Sequence, residues 1–216
     1  MSAVFNGAAA LYCDESVVGS EPDYLVLCIL RFKQFDASSG IRMVSLHNRE
    51  SGTNRRELYG ILNSNGSISS VHYDGLGTSS AGPTSATSEN QWYIGIFSFE
   101  ATNLRRVKLN NHSFQSNITN RLNSMGLNRT TFGSLAIGNP PTFIANFNGK
   151  LAEIAIWSNI DSSVRDDIIT DYLNNVSPNL IFPTYLRLYQ SLRNDINIDH
   201  IGPDLINENV TFDSND

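Results

Sequence analysis

The chain has 216 residues and a formal net charge of −6, with 40% hydrophobic and only 17% charged residues. That apolar share is enough for a sizeable core and argues against intrinsic disorder. The acidic balance argues against a nucleic-acid partner, which would need a basic face to neutralise phosphates.

The polar residues are 25 Asn and 26 Ser against 12 Arg and 3 Lys. Asn and Ser favour turns and caps because their side chains compete for backbone hydrogen bonds, so many short strands joined by turns are expected. The first residues lack the basic region of a secretory leader, and Asn6-Gly7 interrupts the apolar run. The longest such run, 24–30, is far short of the ~20 residues of a membrane helix. Neither leader-directed export nor a membrane partner is expected. Cys13 and Cys28 fit no metal or CxxC spacing and read as small buried side chains; a bridge between them would need an oxidising compartment.

The apolar period is two almost throughout. Residues 23–35 read as a long strand, with Tyr24, Val26, Cys28, Leu30 and Phe32 on one face and Leu25, Leu27 and Ile29 on the other, before Arg31 and Lys33 surface. Residues 41–47 form another strand. Residues 56–62 and 67–73 flank Asn65-Gly66, a hairpin signal because both residues tolerate positive φ. Residues 74–90 read as a Gly/Ser/Thr loop. Residues 91–99 form a central strand with Trp92 in the core, and 104–110 alternate cleanly. Residues 111–131 are Asn/Ser-rich, 132–138 form a strand, and Asn139-Pro140-Pro141 stops it. Residues 147–157 place Phe147, Leu151, Ala155 and Trp157 on one face, with Ala152, Ile154 and Ile156 opposite. A helix is expected over 162–175, capped by Asp161 or Ser163 and ended at Asn174-Asn175. A final strand carries Leu186 and Leu188, and from about 203 a polar tail extends to the end. The total is an all-β jelly-roll sandwich in a single domain, with one short helix.

Residues 146–157, with a glycine turn before an alternating strand that ends on Trp157, resemble the penultimate strand of laminin-G-like, concanavalin A-like jelly rolls. The helix at 163–175, Ser177-Pro178, Pro183, Leu186 and Tyr189 resemble the short helix and closing strand of such domains from bacteriophage and bacterial proteins. The resemblance implies the fold and a virion setting. The expectation is a non-enzymatic virion structural protein, a capsid decoration protein present in many copies or as a homo-oligomer. It would contact other virion proteins such as the major capsid protein. The alternative is a carbohydrate-binding module, possibly on a tail fibre, with a glycan as partner.

Little catalytic chemistry is legible. Sandwich glucanases carry alternating acids on one strand, and Glu21-Pro22-Asp23 has no third acid in place. His47, His72, His112 and His200 are scattered, with no HxH or HExxH spacing, so no cofactor is expected. Asp74, in a Gly turn, is the one weak Ca²⁺ candidate that the resemblance suggests. Tyr59, Tyr73 and Tyr93 could line a groove. Asn207, Asn209 and Phe212 are contact candidates on the tail, whose removal over 207–216 is expected to leave the sandwich folded. Trp92, Phe147, Leu151 and Trp157 are the expected core markers.

Overall fold

A computed structural model describes residues 2–19, 25–36, 40–100, 103–121, 125–192 and 200–213. Strands β1 (Ser2–Asn6) and β2 (Ala10–Cys13) open the chain, followed by β3 (Leu25–Gln34) and β4 (Ile41–His47). The hairpin β5 (Glu57–Leu62) and β6 (Ile68–Tyr73) precedes the short β7 (Thr78–Ala81). Next come β8 (Trp92–Glu100), β9 (Leu104–Leu109) and β10 (Gln115–Asn117), then β11 (Arg129–Phe132), β12 (Leu135–Ile137) and β13 (Thr142–Ile144). The long β14 (Asn148–Ile160) leads into α1 (Ser162–Leu173), and β15 (Leu186–Ser191), β16 (His200–Ile201), β17 (Ile206–Glu208) and β18 (Thr211–Asp213) complete the fold.

Two antiparallel sheets face each other. One runs β10-β9-β8-β3-β14-β1-β18, with β15 also on β14 and β16 on β15; the other runs β17-β2-β11-β4-β5-β6-β7. The hairpin β12–β13 is a separate pair. Between the sheets lies the main core, including Phe5, Leu30, Phe32, Leu46, Phe97, Phe132, Phe147 and Leu151. Cys13 and Cys28 are buried free thiols in this core. Burial pushes the Cys13 thiol up to about 11 and the Cys28 thiol higher still, so neither is a ready nucleophile. The Asn65-Gly66 hairpin forms as its residues require, with Gly66 at φ +79°.

Several expectations change. The stretch 74–90 is not all loop, because β7 within it pairs with β6 as the sheet edge. The strand read over 132–138 is broken at Gly133, whose φ is +76°, into the end of β11 and β12. Tyr24, Asp23 and the start of the first long strand lie outside the described residues.

The tail is also part of the sandwich. β17 pairs with β2 and β18 pairs with β1, so residues after 203 extend both sheets. Val210 is buried in the main core and Phe212 packs against it. Asn207 closes the turn between the two strands: its Nδ2 donates to the Val210 carbonyl and its Oδ1 accepts from the Val210 N–H. Asn209 supplies that turn's positive φ, +60°. Asn207, which stays exposed, and Phe212, which is half-buried, thus both take part in the fold of the tail.

A bulge in β14 overturns the expected face assignment. Leu151 pairs with Phe32, but Glu153 pairs with the adjacent Arg31, so Ala152 is one residue too many. An extra residue reverses which face the following side chains take. Leu151, Ile154 and Ile156 thus face the space between the sheets. Ala155 and Trp157 lie on the outer face, in a second apolar cluster with Ile168, Ile169 and Tyr172 of α1.

Two buried histidines predict an acid sensitivity. Burial and the nearby arginines, Arg129 first, push His47 down to about 3; burial and Arg105 push His72 down to about 4. The unfolded chain takes up these protons near pH 6.5 and the folded one does not, so stability is complete above about 6.5 and falls as pH drops toward 4. Urea midpoints measured across that window should decline, and His47→Gln should flatten part of the slope. A variant profile parallel to wild type would refute the assignment.

Candidate functional site

α1 roofs only one end of the outer face of the nine-stranded sheet. Asp161 caps it, its Oδ1 accepting from the Val164 N–H at 2.9 Å and from the Ser163 hydroxyl at 2.7 Å. Those bonds hold the Asp161 carboxyl below its ordinary range. Ser163 therefore serves the cap rather than being it. Leu27, Ile29, Ile96, Ala155 and Trp157 are buried beneath the helix, and Trp157 Nε1 donates to the Ile181 carbonyl at 3.0 Å. Arg165 is buried and ion-paired with Glu100 and Asp166. The helix stops at Asn175, which takes φ +62° and donates its N–H to the Tyr172 carbonyl.

Past that stop the same sheet face turns polar and a cleft of about 610 Å³ opens. Arg31 of β3, Ile94 of β8, Glu153 of β14 and Tyr189 and Ser191 of β15 form one side. Tyr172 of α1 and the turn from Asn175 to Asn179 form the other, with Ile201 at the rim. Pairing register sets the floor: Glu153 lies opposite Arg31 and Arg31 opposite Ile94. The bulge at Ala152 is what turns Glu153 toward the cleft.

Tyr172 Oη donates to Glu153 Oε2 at 2.9 Å. Burial first, and then the Glu153 charge, hold the Tyr172 phenol well above its ordinary range. It stays a neutral donor that fixes the carboxylate. Glu153 keeps acceptor capacity for ligand hydroxyls, since an ionised carboxylate offers about four lone-pair sites.

Next to the cleft stands Trp92, a correction to its expected place in the core: it is half-buried on the outer face. The Lys33 ammonium lies 5.0 Å and the Arg31 guanidinium 5.9 Å from its ring centroid. Register explains this, because Lys33 is directly opposite Trp92. The amphipathic β3 that buries both faces at its start presents cations at its end.

The other sequence candidates lie elsewhere. Phe147 and Leu151 are fully buried between the sheets and Trp157 is fully buried under α1. Asp74 is an Asx-turn residue: its Oδ1 accepts from Leu76 N–H and Gly77 N–H, and its Oδ2 lies 3.9 Å from Arg121. Among the described residues no three His, Cys, Asp or Glu side chains converge as a metal site. Tyr59 is buried beneath the Arg42 guanidinium at 3.8 Å, Tyr73 lies beneath Arg55, and Tyr93 packs against the core. The aromatic side chains in the cleft are instead Tyr172 and Tyr189.

No family model and no curated protein matches the sequence. Solved structures do match. Full-length tailspike protein 2 from Escherichia coli O157:H7 bacteriophage CAB120 is 14% identical with a TM-score of 0.60, over 88% of this chain and 26% of that one. The LG1-3 region of the laminin α2 chain is 15% identical with a TM-score of 0.53, over 72% of this chain and 30% of that one. The fold is a concanavalin A-like jelly roll. A third jelly roll, the CBM40 of Ruminococcus gnavus IT-sialidase bound to α2,3 sialyllactose, is 12% identical with a TM-score of 0.55, over 69% of this chain and 83% of that one. The chain thus spans about a quarter of the tailspike and under a third of the laminin region. At these identities the likeness establishes the jelly roll and leaves function to the site.

Proposed function

We propose that this jelly roll is a non-enzymatic carbohydrate-binding module of a virion, with its sugar site in the cleft beside α1. The cleft lining carries the reading. Two tyrosines, an arginine, a carboxylate and the Asn175–Asn179 turn line one concave space. Sugars need such a mixture, with hydroxyl partners fixed in place and ring faces for the C–H side of the pyranose.

Among the described residues Glu153 is the one carboxylate in that lining, whereas glycoside hydrolysis ordinarily uses two facing the scissile bond. This supports binding over catalysis. A sialidase module bound to a sialylated sugar and a phage tailspike among the similar structures are consistent with a glycan partner and a virion setting. Of the tail residues that would make capsid contacts, Asn207 and Phe212 also serve the fold of the tail.

The test is a glycan array probed with the intact chain, followed by calorimetry on the hits. Saturable binding that weakens at least about tenfold in Glu153→Gln is expected, the scale on which buried polar recognition is lost. Binding to no glycan, with retention on purified particles through protein contacts, would replace this reading with the structural one.

A further inference from the structure

We propose a second binding site, on the opposite face of the sandwich from the cleft, that takes a phosphate group at Arg49 and Arg55 beside His47. Strand alternation builds its floor. Val44, Leu46 and Leu58 point into the main core, so Ser45, His47, Glu57 and Tyr59 take the outer face of the seven-stranded sheet. Register sets Arg129 of β11, His47 of β4 and Glu57 of β5 side by side across it. All three are fully buried.

Four arginines, Arg42, Arg49, Arg55 and Arg129, lie close enough to His47 to bias its protonation, in a protein whose net charge is −6. They share two carboxylates. Glu57 lies 2.9 Å from Arg42 and 3.5 Å from Arg55; Asp14 lies 2.5 Å from Arg129 and 3.6 Å from Arg49. The neighbouring acids Glu15 and Glu50 are exposed and pair with none of the four among the described residues. Two positive charges are left over. Arg42 and Arg129 are the close partners and are fixed further by backbone carbonyls, Gly40 for the first, Ala136 and Gly138 for the second. The surplus therefore sits on Arg49 and Arg55.

Their hydrogen bonding is incomplete as well. Among the described residues the Nε atoms of Arg49 and Arg55 are buried and bonded to nothing. So is His47 Nδ1, while His47 Nε2 lies 3.1 Å from the Thr131 hydroxyl. Buried polar atoms ordinarily have partners, and here three in one cluster have none. Part of each side chain still reaches solvent, 27% for Arg49 and 21% for Arg55. Both belong to the loop joining β4 to β5, which is pinned without a ligand. The Asn48 N–H donates to the Arg56 carbonyl at 3.1 Å, and Asn48 Oδ1 accepts from the Arg56 N–H at 2.8 Å. The Arg55 guanidinium rests 4.5 Å from the Tyr73 ring centroid, and the Tyr73 hydroxyl donates to the Gly52 carbonyl. A phosphate group brings about two negative charges, and its oxygens match guanidinium forks bidentately. It would neutralise the surplus that a monovalent anion would only halve.

The experiment titrates the intact chain with inorganic phosphate and with methyl phosphate, near neutral pH and at an ionic strength held constant with chloride. Calorimetry should show saturable binding, and phosphate at roughly tenfold above Kd should raise the melting temperature by at least about 3 °C over chloride. Arg49→Gln and Arg55→Gln should each weaken binding at least about tenfold. Both should stay folded, since Asp14 keeps Arg129 and Glu57 keeps Arg42. Arg187→Gln, which removes a charge from the other sheet, should leave binding as in wild type. Equal binding of the two probes assigns the site to a phosphate ester, and binding of inorganic phosphate alone assigns it to the free ion. Saturable binding of neither probe, or binding that survives both Arg49→Gln and Arg55→Gln, would overturn the inference.

Discussion

Trp157→Ala should lower the melting temperature by roughly 6–20 °C, from a cavity cost of ~3–5 kcal/mol at about 2–4 °C per kcal/mol for a domain of this size. Trp157 is fully buried where β14 passes under α1, and its indole N–H is satisfied by Ile181. Removing it empties the largest side chain of the second apolar cluster and orphans a buried carbonyl. The cleft shares that roof, because Tyr172 packs in the same cluster and reaches Glu153. Ligand affinity should fall together with stability. Trp157→Phe keeps most of the volume and should retain most of both. A Trp157→Ala melt within two degrees of wild type would mean that α1 does not depend on this contact.

Removing residues 207–216 should destabilise the sandwich, the opposite of what the polar composition of that segment suggests. Burial of Val210 and packing of Phe212 are together worth about 3–6 kcal/mol at about 1.5–3 kcal/mol each. Their loss corresponds to a drop of at least roughly 6 °C. The deletion also strips the β18 pairing from β1 and takes Asp213 from Lys150, which is nearly buried. A truncated protein that melts with wild type would show the two final strands to be passengers.

Much of the fold is legible in the residues because burial has a period. Strand β3, with apolar residues on both faces and then Arg31 and Lys33, declares a central strand that emerges at one end. Asn65-Gly66 declares a hairpin, and Asn174-Asn175 a helix stop. The edge strands β7, β10, β17 and β18 are not legible, because three or four mostly polar residues are too few to show a period and are ordered by the strand beside them. The cleft is harder still. Arg31, Glu153, Tyr172 and Tyr189 come from four elements far apart in sequence, and each looks ordinary in its own segment. Trp92 shows the same limit: a tryptophan starting an apolar strand reads as core, and only the register that sets Lys33 beside it shows the open face.

The bulge at Ala152 has a consequence for how such a surface can arise. Alternation makes the wet and dry sides of a strand a matter of parity. Gaining or losing one codon ahead of Glu153 would exchange the side chains bound for solvent with those bound for the interior, down to the next irregularity at Ser158–Ile160. Substitution would need several coordinated changes to move an acid to the outer face and the isoleucines Ile154 and Ile156 off it. A length change does it in one step, and the adjoining helix is then needed to shelter the apolar residues exported along with the acid. The side of the sheet taken by the cleft's acid and by the tryptophan under the roof is set by the same extra residue, Ala152.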